Sequence, residues 1–258
     1  MALPDRSAFS NLGYRVFGIA AFAFGVIGFV YRDFASVWQP VPPEFPHRVA
    51  FACIAAAVFL LAGAAIQWPT AVRPAAAALL ILYFLFSLLW LRRVIGFPRM
   101  IGTWSGYGEQ VSLVTAAIVL CIDTAPQKPK GASLIVSVCR VLFGLCFIAL
   151  GLAHFSALEF TASMVPAWIP PSQRFWAMAT GVFHLMAGTS IIVRVLDLFA
   201  ARLLTAMIVG FGILVWAPQL FKDPHNHMNW AGNAMNLAIA GAAWIMADSL
   251  RDSRNRRS

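Results

Sequence analysis

Two histidines sit in strongly apolar surroundings. Residues 151–188 read G-L-A-H-F-S-A-L-E-F-T-A-S-M-V-P-A-W-I-P-P-S-Q-R-F-W-A-M-A-T-G-V-F-H-L-M-A-G. Two apolar arms flank a Pro- and Trp-rich connection, and each arm carries one imidazole, His154 and His184. Inside a bilayer an ionisable side chain is costly and faces a protein interior or a wet cavity. Glu159 opens the connection, and His225 and His227 lie in a later loop. Asn229, Asn233 and Asn236 follow at i, i+4 and i+7, so they share one face of a helix and need polar partners there.

Several chemistries compete for these residues. Histidine and a carboxylate near a membrane interface can relay protons to a quinone, with Phe155, Trp168, Phe175 and Trp176 to hold the ring. The candidate polar cluster is then His154, Glu159, His184, Asn233 and Asn236, and the lipophilic pocket is His154, His184, Trp168 and Trp176. A metal could use His225 and His227 with His154 or Glu159, but H-x-H alone is a weak signal. Haem between His154 and His184 is disfavoured, because counting from span centres at 1.5 Å per residue separates them by about 10 Å in depth. The remaining reading is packing: His184 bonds across helices beside Gly181 and Gly188, and the aromatics form an interface belt.

Composition dictates which elements carry these residues. Sixty per cent of the chain is hydrophobic, 11% is charged and mean hydropathy is +0.77. A soluble domain carries roughly a quarter charged residues, so the chain has too little polar surface for water. Apolar runs at about 10–31, 49–68, 73–91, 106–122, 134–155, 174–193, 200–216 and 229–247 each approach the length that crosses a bilayer. The expectation is an all-α integral membrane protein with eight transmembrane helices. The net charge of +9 resides at span ends and in the tail R-D-S-R-N-R-R-S, which reads as topology and lipid attraction rather than nucleic-acid binding. Cys53, Cys121, Cys139 and Cys146 show no metal or disulfide spacing.

The stretch D-T-A-P-Q-K-P-K-G (123–131) reads as a linker between halves that resemble each other. Shifted by 126 positions, Gly18 falls on Gly144, Gly25 on Gly151, Trp90 on Trp216, Trp104 on Trp230 and Gly106 on Gly232. Ala62-Gly63 matches Ala187-Gly188 with a slip of one. Such self-similarity marks a duplicated unit. The expected division is 1–125, a diverged and scaffold-like unit, 126–250, the unit that would hold any site, and a basic tail at 251–258, with four spans per unit and therefore a parallel repeat. The first span matches the internal fifth, so it is retained rather than cleaved as a signal peptide. Twelve of the 19 Lys and Arg residues fall on the side of the termini, which predicts that both termini are cytoplasmic.

The segments R-V-L-F-G-L-C-F-I-A-L-G-L-A-H-F (140–155), V-P-A-W-I-P (165–170) and T-G-V-F-H-L-M-A-G (180–188) resemble the DoxX family of four-helix membrane proteins. The family typically has a glutamate where this chain has His184. Its polar pair at the start of the fourth helix is kept as Gly106 and Glu109 in the first half. The resemblance is clear over 140–247 and weaker over 12–122, so the chain looks like a tandem DoxX-type duplication. It implies a multi-pass protein of the bacterial inner membrane, in contact with the bilayer and with a redox partner protein, and an association with quinone. Oligomeric state is left open. The alternatives are a transporter or permease of a small molecule, and an assembly or scaffold subunit without catalysis.

Overall fold

The computed structural model describes residues 12–255; Arg6, Ser10, Arg256 and Arg257 lie outside them. Among the described residues the chain is helical, with no strand. The helices are α1 (Leu12–Tyr31), α2 (Arg48–Ala65), α3 (Val72–Gly96), α4 (Ile101–Asp123), α5 (Ala132–Ser156), α6 (Leu158–Met164), α7 (Gln173–Val193), α8 (Asp197–Phe211), α9 (Ala217–Lys222) and α10 (His227–Asn255). A π-helical turn, Gly212–Trp216, joins α8 to α9.

Local chemistry explains where these helices begin. Ser172 caps α7 by accepting from the Phe175 N–H. Three helices are entered through the same bond: the indole N–H of a tryptophan donates to the carbonyl of a proline six residues earlier. The pairs are Trp104 to Pro98, Trp176 to Pro170 and Trp230 to Pro224, at 2.9, 2.8 and 2.8 Å. In each case the tryptophan ties the short connection before the helix to its first turn.

Seven segments are long and apolar enough to cross a membrane: α1, α2, α3, α4, α5, α7 and the run Asp197–Lys222. The sequence predicts an eighth at 229–247. Its helix, α10, has ample length at 29 residues. Composition keeps it out of the seven, since its first half carries His227 and the three asparagines. The short α6 stands where the sequence suggested only a connection.

The helices form a closed ring. α1 packs on α2, α2 on α3, α3 on α4, α4 on α5, α5 on α7, α7 on α8, α8 on α10, and α10 returns to α1. α4 and α10 also meet across the centre. Both are rich in enclosed alanines, among them Ala116, Ala117, Ala238, Ala242 and Ala243, and side chains this small permit close helix approach. One hydrophobic core runs through both halves.

Several contacts occur twice in this ring. A Cβ on Gly63 would lie 2.6 Å from the Gly18 carbonyl oxygen, and one on Gly188 would lie 2.5 Å from that of Gly144. Glycine is required in both places because the obstacle is backbone. Trp90 covers Gly106 as Trp216 covers Gly232. Asp33 pairs with Arg48 at 2.6 Å, and Glu159 with Arg174 at 3.6 Å.

Candidate functional site

α5 and α7 run antiparallel and are brought together by the Gly144–Gly188 approach and by Gly151, whose Cβ would meet the Gly181 carbonyl. That contact aligns His154 and His184. Their ring centroids are 4.8 Å apart, tilted by 41°. The His154 Nδ1 lies 2.9 Å from the Leu150 carbonyl oxygen, and the His184 Nδ1 lies 2.8 Å from that of Thr180. Each carbonyl can only accept, so both rings carry their proton on Nδ1 and leave Nε2 as a lone-pair acceptor. His184 is 2% exposed and His154 half-buried. Phe147 stacks on His184 at 5.9 Å, and Phe211 of α8 faces His184 at 5.9 Å and His154 at 6.5 Å.

The depth separation of about 10 Å expected from the sequence is corrected by this contact. The glycine pairings set His184 level with about residue 150, roughly four residues or 6 Å from His154. Side chains on a helix lean toward its N-terminus, and in an antiparallel pair the two leans point at each other. The rings close the remaining gap. The same contact argues against haem on new grounds: axial nitrogens about 2 Å from a metal would hold the centroids farther apart than 4.8 Å.

The other sequence candidates go elsewhere. Glu159 is on α6, its side chain 80% exposed and turned to Arg174. Trp168 stands 74% exposed in the loop, and the Trp176 N–H is used by Pro170. The rings on the histidine pair are therefore Phe147 and Phe211. Asn229 donates to Gln219 and Asp223 carbonyls, Asn233 to Trp216 and Asn229, and Asn236 to Ile208. The row of amides thus meets the segment around the π turn and α9. Phe211 and Gly212 are neighbours in sequence, yet Phe211 faces the histidines and Gly212 faces Asn236. His225 gives its backbone carbonyl to Tyr31, whose ring stacks on His227 at 4.2 Å. Among the described residues no three His, Cys, Asp or Glu side chains cluster as metal ligands.

A second polar cluster lies in the first half, where sequence reasoning expected scaffold. The Trp38 indole donates to Glu109 Oε2 at 2.9 Å, and Gln110 Nε2 donates to the Trp38 carbonyl at 3.0 Å. Trp38 also meets Trp216 edge-on at 5.8 Å, linking the α1–α2 loop to the π turn. The Gly106–Glu109 pair was the available signal; its partner Trp38 sits in a loop whose path spacing alone does not give.

A family described as a domain of unknown function (DUF8561) matches residues 143–244. That stretch runs from within α5 to within α10 and contains both histidines and all three asparagines. No curated protein and no solved structure matches the chain.

Proposed function

We propose that the chain is an eight-span membrane protein of two parallel, DoxX-like four-helix units, and that its second unit supports a redox partner by binding a quinone at the His154–His184 pair. The observation that carries the reading is the pair itself: two imidazoles in contact, each with Nδ1 against a backbone carbonyl, beside Phe147 and Phe211. A quinone, when bound, takes up two electrons and two protons, the electrons here coming from the partner protein. The histidines contribute on the proton side. An imidazole protonated at Nε2 donates a hydrogen bond to a ligand carbonyl, and the neutral ring accepts one from a ligand hydroxyl. Half-buried His154 is the route by which a proton reaches enclosed His184.

The duplication is supported by the contacts that recur 125 or 126 positions apart: Gly18–Gly63 with Gly144–Gly188, Trp90–Gly106 with Trp216–Gly232, and Asp33–Arg48 with Glu159–Arg174. An eighth crossing by α10 is supported by its length and by its enclosure among α1, α4 and α8. With an even number of crossings both termini lie on one side, cytoplasmic by the Lys and Arg distribution of a bacterial inner-membrane protein.

The test is extraction of bound lipids from protein purified in mild detergent, with quinone assayed per mole of protein. Wild type is expected to carry quinone, and His184→Ala and His154→Ala are expected to lower it about ten-fold, the scale of one or two lost hydrogen bonds. Equal quinone in wild type and both variants, or none in wild type, overturns the reading.

A further inference from the structure

The face of α10 that carries the asparagines also forms the floor of a groove. Its walls are α1, through Phe22, Ala23 and Val26, and the α8–π-turn segment, through Val209, Gly212 and Ile213. It encloses about 530 Å³, within the usual range for a small-molecule site. Phe22, Val26 and Ile213 are exposed at its rim, so it opens laterally, toward lipid if the bundle is embedded.

Two polar groups reach into this apolar space. Asn233 spends both amide hydrogens, on the Trp216 and Asn229 carbonyls. Asn236, 9% exposed, donates to the Ile208 carbonyl. Both residues line the groove, and neither amide oxygen accepts a hydrogen bond from any described residue. An amide whose nitrogen is bound to a carbonyl presents its oxygen on the other side, so the groove is lined by acceptors. In hydrocarbon an unanswered acceptor is costly, and only a donor relieves it.

We infer that this groove binds an uncharged lipid-soluble alcohol or phenol, whose single O–H donates to the amide oxygen of Asn236 or Asn233 while its apolar body lies between α1 and the π turn. Depth selects against an ordinary phospholipid. Asn233 and Asn236 lie about 9 and 14 Å along α10 from its first residue; with that end of α10 at the membrane surface, both are too deep for a charged headgroup to stay hydrated. The π turn contributes directly: Gly212 has no side chain where a Cβ would come within 2.7 Å of the Asn236 amide nitrogen. Π turns inside helices are frequent at functional sites.

The site is separate from the histidine pair, so its failure and that of the quinone reading are distinguishable. The experiment is photolabelling of the full chain in nanodiscs with a diazirine-bearing long-chain alcohol, competed by the unlabelled alcohol or by its methyl ether, which cannot donate. Label is expected on peptides of α1, the π turn and α10. The alcohol is expected to compete about ten-fold better than the ether, as for one lost hydrogen bond. Asn236→Leu should remove that preference and His184→Ala should leave it. Ala23→Trp keeps both asparagines but fills the groove, and should abolish labelling even if Asn236→Leu folds poorly. Equal competition by alcohol and ether, label spread evenly over all outward faces, or unchanged labelling of Ala23→Trp overturns the proposal.

Discussion

In residues 12–123 the interior is a stack of rings: Phe59 lies 5.5 Å from Phe24, 5.5 Å from Tyr83 and 6.1 Å from Phe86. In residues 132–255 the matching positions carry His184 for Phe59 and Gly212 for Phe86. His154 falls where the first half has Gly28, and a Cβ at Gly28 would already lie 2.7 Å from that of Ala56. The frameworks agree, down to buried Phe17 and Phe143, but the fillings differ. Around Phe59 the first half is filled by aromatic side chains packed on one another. The other exchanges two of them for an imidazole and a bare backbone. Inside a bilayer helices are held by side-chain packing and interhelical hydrogen bonds, so the second half exchanges ring packing for polar atoms inside the bundle. The two regions thus share contacts at their glycines and differ in what fills the space between them.

The largest effects should fall on what the halves share. Gly63→Val and Gly188→Val each force side chain into backbone and should abolish monodisperse folded protein in size-exclusion chromatography. If only one does so, the halves are not built alike. Next is Phe59→His, which puts the second half's residue into the first half's stack. It should cost about 3 kcal/mol, from lost packing and an unpartnered imidazole, read as a lowered denaturation temperature. The reverse change, His184→Phe, should leave that temperature unchanged or raise it while removing bound quinone. A large destabilisation there would make His184 a packing residue. The smallest effect belongs to the ion pairs. Arg48→Ala should cost about 2 kcal/mol, because Arg48 also donates to the Val41 and Pro42 carbonyls. Arg174→Ala, on a pair with 65% and 80% exposed side chains, should cost less than about 0.5 kcal/mol by thermal denaturation.

The sequence was most informative where physics acts through composition. Apolar runs marked seven helices with ends up to about six residues off, because lipid demands both length and hydrophobicity. It was least informative about α10, whose asparagines lower its hydropathy because they face protein carbonyls. The π turn left no periodic signal, since its defect is in backbone bonding. The histidines were recognised as candidates, but their contact was not, because span centres are a poor measure of register when glycines fix the crossing. Trp38 and Glu109 were separated by 71 positions, and only the folded α1–α2 loop brings them together.

The closing of the ring by α10 against α1 also bears on how the chain is made. α1 is synthesised well before α10, and until α10 is in place Gly13 and Phe17 lack the helix that covers them, Ile245 against the one and Gly241 against the other. α4 waits equally long for its central partner. Among the described residues the docking of α10 is therefore a late step that closes the ring against both halves at once, and a chain interrupted before α10 is left with an open seam.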